Sequence, residues 1–343
     1  MTLRAPLFFS LLSVLLVALF VGSLVYGAVA IPLLDVIDIL LGGGGDSAPR
    51  NIVIVSRLPQ AVTALLAGAS LAVSGLLLQT LFRNPLAGPS ILGISDGANL
   101  GVAVVMLALG GSLGKLTDLP LNGYPAVIVS AFMGACAVLG IILYFSSKVG
   151  SNVMLLITGI MIGYLASSVI SILNFYATAD RVYGYVAWGL GSFGGVSMGQ
   201  LPLFALCALL GLFLSLLLIK PLNALLLGEA YASNLGVNVR RTRMYILLCT
   251  GFLTAITTAF CGPVAFIGLA VPHIARLLLG SSNHKMLLPV TLLSGSCIAL
   301  LCNMLMVVRG MNIVMPLNAV TPLIGAPVII YVIVNRRNVR YFN

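Results

Sequence analysis

Runs of about 20 apolar residues recur along the whole chain with almost no charge inside them, and a membrane span takes about 20 such residues. That feature constrains the fold more tightly than any motif. Apolar residues make up 60% of the 343 and charged residues only 7%, against roughly 25% charge in an ordinary soluble domain. A soluble fold this poor in charge could not cover its own surface with polar groups. A bilayer lifts that requirement, because the surface to be matched is hydrocarbon. The expectation is one all-α, polytopic membrane domain over residues 1–343 with ten transmembrane helices, at 7–29, 58–82, 91–109, 123–146, 152–176, 200–219, 243–261, 264–280, 287–308 and 319–335. The narrowest division lies between the seventh and eighth, where only Cys261-Gly262-Pro263 intervenes. The amino terminus mimics a signal peptide, with Arg4, an apolar run from Leu7 and then Ala28-Val29-Ala30. Because many spans follow, an uncleaved first span is expected.

Charge placement tests that count. With the amino terminus inside, the inner segments hold Arg4, Arg83, Lys148, Lys220, Arg240, Arg241, Arg243, Arg276, Lys285, Arg336, Arg337 and Arg340. The outer segments hold Arg50, Arg57, Lys115, Arg181 and Arg309, giving 12 against 5 for the 17 Lys and Arg. Cytoplasmic loops carry the excess of Lys and Arg, so an even number of spans with both termini cytoplasmic is expected. The net charge of +10 also invites a nucleic-acid reading. The basic residues are scattered singly or in pairs, however, with no basic stripe and interleaved aromatics, and no nucleic-acid partner is expected.

Several chemistries lack their residues. The six cysteines form no CxxC pair and lie mostly within apolar runs, which reads as buried free thiols. The string Gly110-Gly111-Ser112-Leu113-Gly114-Lys115 has the wrong spacing for a Walker A loop and is followed by Leu116, where Ser or Thr is required. If ATP drives this chain, another chain binds it. No HExxH occurs, and His273 and His284 are the only histidines, so metalloprotease chemistry lacks its ligands. No metal, cofactor or catalytic set is expected. An ion-coupled carrier places ionisable groups within the membrane, and only Asp96 is a candidate, with a helix-capping role at Ser95-Asp96-Gly97 the favoured reading.

Two connections stand out. The outer segment 30–57, with Gly42 to Gly45, reads as a flexible connection or a short surface helix. The inner segment 220–242 is too polar to cross, and its Leu222, Leu225, Leu226 and Leu235 fit short helices at the membrane surface. At 81–93 the string LFRNPLAGPSILG carries Pro85 and Pro89, which oppose continued helix. It is either a constriction beside a pathway or a plain connection. Gly88-Pro89-Ser90-Ile91-Leu92-Gly93 on the inside matches Gly262-Pro263-Val264-Ala265-Phe266-Ile267-Gly268 on the outside. An inverted repeat gives such a pattern, and so does chance over so short a match.

From about residue 50 to the carboxyl end, the chain resembles the FecCD-type permeases, the membrane subunits of ATP-binding-cassette importers for iron–siderophore complexes, haem and cobalamin. The motifs run in order: Arg57-Leu58-Pro59, LAGASLAVSGLLLQTLFRNPLAGPSILGISDGANLG at 66–101, AWGLGSF at 187–193, LNALLLGEAYASNLGV at 222–237, GPVAFIGLAVPHIARLLLG at 262–280 and TPLIGAP at 321–327. The resemblance implies a type II importer permease fold in a bacterial inner membrane. It implies a homodimer around a central path, two cytoplasmic ATPase subunits and an extracytoplasmic binding protein. It makes Gly228, Glu229, Ala232, Leu235 and Gly236 part of coupling helices that sit in the ATPase. It also makes Asn84 and Leu86, with Ser151 and Asn152, a cytoplasmic gate, and Arg57 an outer docking residue for the binding protein.

Departures from the family pattern fall mostly on the outer side. Gln60 stands where some members have a second Arg, Val307 where a later outer Arg is usual, with Arg309 a substitute two residues on. Val314-Met315-Pro316-Leu317-Asn318 replaces Glu-Leu-Pro-x-Gly, and Asn303 replaces an Asp. The expected function is import of a metal chelate powered by separate ATPases; the alternative is an ion-coupled secondary transporter relying on Asp96.

Overall fold

The computed structural model describes residues 4–43, 48–112, 123–149, 151–308 and 313–334. Helices dominate them: α1 (Arg4–Val25), α2 (Leu33–Leu40), α3 (Ala48–Asn51), α4 (Leu58–Phe82), α5 (Ile94–Ala103), α6 (Tyr124–Lys148), α7 (Asn152–Tyr176), α8 (Ala179–Gly189), α9 (Leu201–Leu217), α10 (Ile219–Leu226), α11 (Glu229–Asn234), α12 (Val239–Cys261), α13 (Ile267–Leu279), α14 (His284–Leu305) and α15 (Leu317–Val334). The strands described are a two-residue antiparallel pair, β1 (Val307–Val308) and β2 (Ile313–Val314).

Every one of the ten expected spans carries a helix, but their lengths differ. Six are long and apolar enough to cross a membrane alone: Leu7–Val25, Ala48–Phe82, Tyr124–Lys148, Asn152–Tyr176, Val239–Cys261 and His284–Leu305. The bent pair α9–α10, turning by 51°, makes a seventh if it is one span. Ile94–Ala108, Ile267–Leu279 and Leu317–Tyr331 are shorter apolar helices.

Three boundaries differ from the sequence reading. In the segment 30–57, α2 is the short helix that the sequence allowed, while α3 continues through a π-turn at Ile52–Arg57 directly into α4, so the second span begins before residue 58. Pro59 does not stop that helix: it follows directly on the π segment, and local π adjustments let a membrane helix carry a proline. The connection before α9 contains a further helix, α8. The ninth span ends at Leu305, and Val307 already belongs to β1.

The core is built around α4, 89% of whose apolar window is buried inside the protein, whereas α1 and α7 are only 17% and 22% buried. Helix α4 packs on α14, α12, α13 and α9. Its small residues explain the close approach, since in lipid no hydrophobic force drives helices together and packing must do so. A β-carbon on Gly68 would lie 2.5 Å from Cβ of Ala299, so α4 and α14 touch nearly backbone to backbone. Ser296 Oγ donates to the Leu65 carbonyl across that contact at 2.9 Å. On α12, Thr250, Thr254 and Thr257 each donate to a carbonyl one turn earlier, which satisfies these three hydroxyl hydrogens in an apolar setting.

The two Gly-Pro segments meet in the interior rather than lying apart on opposite sides. A β-carbon on Gly268 would lie 2.9 Å from both Pro89 Cδ and the Leu71 carbonyl oxygen, and a cavity between the segments is lined by Gly88, Pro89, Ile91, Val264, Phe266 and Leu269. Leu71 lies roughly 16 Å along α4 from its end at Phe82, at 1.5 Å per residue. The chain after α4 and the chain after α12 therefore both return into the protein before helix resumes. That return accounts for the short α5 and α13.

Candidate gate and coupling site

Helix α4 ends at Phe82 because Arg83 turns left-handed, with φ of 47°. The chain then makes a compact turn: Asn84 Oδ1 accepts from the Leu86 N–H at 2.9 Å, and the Asn84 carbonyl accepts from the Ala87 N–H at 3.1 Å. Asn and Pro favour this geometry, the Asn side chain replacing a backbone partner. Leu86 is left 39% exposed at the tip. From the other side, Nε2 of His273 on α13 donates to the Pro85 carbonyl at 2.8 Å. A carbonyl can only accept, so that nitrogen carries a proton.

The segment 220–242 folds as α10 and α11, as its leucine spacing predicts. Leu222, Leu225 and Ala232 are buried, while Leu227, Tyr231 and Leu235 are 52%, 53% and 59% exposed. The segment thus anchors one face on α4, α12 and α14 and presents an apolar ridge away from them. Leu227 and Tyr231 lie within the matching stretch 222–237, but nothing in the sequence marks them as exposed.

Two glycines shape that ridge. Gly228 has φ of 109° and ψ of 155°, a region essentially confined to glycine. Gly236, with φ of 84°, closes α11: Val237 N–H donates to the Ala232 carbonyl and Gly236 N–H to that of Ser233. That pair of bonds is the Schellman arrangement, which needs a left-handed residue at this point.

One residue expected at the gate, Asn152, meets one expected in the coupling helices, Glu229. Glu229, the first residue of α11, pairs with Arg243 of α12 at 3.0 Å. The same oxygen accepts from Nδ2 of Asn152, the first residue of α7, at 3.1 Å. Asn152 Nδ2 also donates to the Leu81 carbonyl on the last turn of α4 at 3.2 Å. Ser151 precedes it as the helix cap, its Oγ accepting from the Met154 N–H at 3.5 Å. Glu229 therefore has partners within the chain, Arg243 and Asn152. Arg243 carried no sequence signal beyond its place at the start of a span.

A second buried network braces the same region. Arg276 Nη1 donates to Gln79 Oε1 at 2.5 Å, and Gln79 Nε2 donates to the Leu269 carbonyl. On α10, Asn223 Oδ1 accepts from the backbone N–H and Nδ1 of His284, whose Nε2 meets Thr80 Oγ1 at 2.8 Å. Both histidines are therefore occupied within the protein. Among the described residues, no group of three or more His, Cys, Asp or Glu could hold a metal ion. All six cysteines are free thiols, four of them buried.

The residues expected on the outer side sit elsewhere. Arg57 is only 7% exposed and donates to the carbonyls of Leu24, Val25 and Val29. It thus caps the end of α1, an occupation the motif did not reveal. Arg309 lies outside the described residues. Gln60 Nε2 donates to Asn303 Oδ1 at 2.8 Å, so two departures from the family pattern, 243 residues apart, form a single contact. Asn318, a third departure, accepts from the Ala265 N–H at 3.0 Å and donates to the Gly189 and Pro263 carbonyls. It fixes the returning segment before α13. Asp96 lies in the first turn of α5 without a side-chain capping bond; the cap position belongs to Gly93, so the capping role is not seen. Its carboxylate instead packs against Gly163 of α7.

A buried helical core, a tight turn at one end and a braced pair of short helices define a polytopic membrane permease architecture. Residues 15–335 match the model of the FecCD transport family, and the chain belongs to that family. It is 34% identical over 330 residues to the hemin transport system permease protein HmuU of Yersinia pestis, covering 96% of each chain. It is 36% identical over 282 residues to the vitamin B12 import system permease protein BtuC of Klebsiella pneumoniae, covering 82% of each. A solved structure described as an inward-facing conformation of a metal-chelate type ABC transporter superposes with a TM-score of 0.82 at 30% identity, over 97% of this chain and 99% of that one.

Proposed function

We propose that this chain is the membrane-spanning permease of an ATP-binding-cassette importer that carries a metal chelate (iron–siderophore, haem or cobalamin) across a bacterial inner membrane. It works as a homodimer with both termini cytoplasmic and ten crossings per subunit. Two ATPase subunits hydrolyse ATP below it, and a binding protein delivers cargo from above. The relatives named for hemin and vitamin B12 transport support the cargo class, and no observation favours the ion-coupled alternative.

The observation that carries the reading is the apolar ridge of Leu227, Tyr231 and Leu235, exposed on a segment that is fixed from behind by buried leucines and by Glu229. A ridge so built fits a cleft on a partner and moves the spans as a body when that partner moves. Gly228, Glu229, Ala232, Leu235 and Gly236 form the coupling element. Asn84 and Leu86, with Ser151 and Asn152, form the gate. Docking of the binding protein falls to the outer loop that Arg57 organises and to Arg309.

The test is co-purification of the ATPase expressed together with the permease. Tyr231→Asp places a charge on the ridge without touching the buried face, and it should abolish co-purification while the permease remains monodisperse. Undiminished association in Tyr231→Asp and Leu235→Asp would remove the ridge from the interface.

A further inference from the structure

We infer that Glu229, Asn152 and Arg243 form a clasp joining the coupling segment to the gate, with Arg243 as its positioning residue. The inference rests on the reading of the chain as an importer permease and concerns how motion reaches the gate. Three elements distant in sequence end at one carboxylate. Asn152 opens α7, Glu229 opens α11 and Arg243 lies in the first turns of α12. The Asn152 amide joins Glu229 to the Leu81 carbonyl at 3.1 and 3.2 Å, and Leu81 stands immediately before the gate turn.

Arg243 sets the position of the carboxylate. Its side chain is 8% exposed against 39% for Glu229, so the cation is fixed in the protein and the anion reaches to it from the rim. Its Nη2 lies 3.0 Å from one carboxylate oxygen and 3.3 Å from the other. Bonds with an ionised partner are shorter and about twice as strong as neutral ones. Within 220–242, Glu229 is the only acid, so no second carboxylate competes for the arginine from that segment. Gly228 lies directly before Glu229 in a conformation that only glycine takes readily, which gives α11 a pivot beside the clasp. Displacement of α11 then either draws the start of α7 and the end of α4 with it or breaks the bonds of Asn152. Each result changes the surroundings of Asn84 and Leu86.

The experiment uses the permease–ATPase complex in nanodiscs. Cys136 and Cys207, the two cysteines that are not buried, are changed to Ser, and Leu86→Cys serves as reporter. Labelling by a membrane-impermeant maleimide is timed without nucleotide and with ATP and vanadate. Coupling between distant sites typically amounts to about 5–150-fold, so the reference should show a rate ratio of at least about fivefold. Asn152→Ala, which removes the bonds to Glu229 and to the Leu81 carbonyl but leaves the Glu229–Arg243 pair, should bring that ratio below about twofold with the ATPase still co-purifying. Arg243→Ala should do the same, and Arg243→Lys, which keeps the charge, should restore part of the ratio.

A full ratio in Asn152→Ala overturns the clasp. So does loss of ATPase association in Glu229→Gln but not in Asn152→Ala, since Glu229 would then be a docking charge. Should Arg243→Ala not fold, Asn152→Ala decides alone. A reference with no nucleotide response contradicts the importer reading itself, and the clasp falls with it.

Discussion

Gly75 and Gly140 both lie inside helices, yet changing each to alanine should move stability in opposite directions. A β-carbon on Gly75 would lie 2.5 Å from the Gly268 carbonyl carbon, 3.0 Å from its Cα and closer still to its oxygen. Carbon atoms pack at about 3.5–4.0 Å, so α4 and the start of α13 would have to part by roughly 1 Å. The atoms met are backbone on both sides and cannot turn away, which puts the overpacking cost near the upper end of about 1–3 kcal/mol. Alanine recovers about 1 kcal/mol of helix propensity over glycine, leaving a net loss of about 2 kcal/mol. A β-carbon on Gly140, in α6, meets nothing within 4 Å, so there the gain of about 1 kcal/mol in propensity stands alone. Thermal unfolding in one detergent, followed by a fluorogenic maleimide reacting with the four buried cysteines, reads both. Gly75→Ala should melt below the wild type and Gly140→Ala at or above it. A Gly75→Ala protein as stable as wild type would refute the close approach that holds the returning segments together.

Other consequences are as direct. Gln60→Arg or Asn303→Asp alone places an uncompensated charge beside a neutral partner and should destabilise, whereas the double variant forms an ion pair; a double-mutant cycle on melting should give a favourable coupling of about 0.5–3 kcal/mol. A coupling of zero would mean that the 2.8 Å contact does not operate. Asn318→Ala removes the acceptor of the Ala265 N–H and the donor to two carbonyls, and should cost about 1–3 kcal/mol in the same melting assay.

The helices were legible because membrane insertion demands long apolar runs, and residues 152–176 and 58–82 read directly as α7 and α4. The leucine pattern of 222–235 likewise foretold short helices. What could not be read was side-chain pairing between distant segments. Gln60 with Asn303, and Glu229 with Arg243 and Asn152, carry no local periodicity, and only the packed helices bring them together. The same limit hid the occupation of Arg57: a motif marks a position, while burial against the end of α1 decides which groups its guanidinium meets. The strand Val307–Val308 is not legible because its valines continue the apolar run of α14.

The most direct measurement is uptake into proteoliposomes holding the permease with its ATPase subunits, supplied with its binding protein and, in turn, haemin, cobalamin and a ferric siderophore. One of the three chelates should accumulate only with ATP on the ATPase side, and Asp96→Asn should leave that accumulation in place. Accumulation without the ATPase, driven by a proton or sodium gradient and lost in Asp96→Asn, would contradict the account.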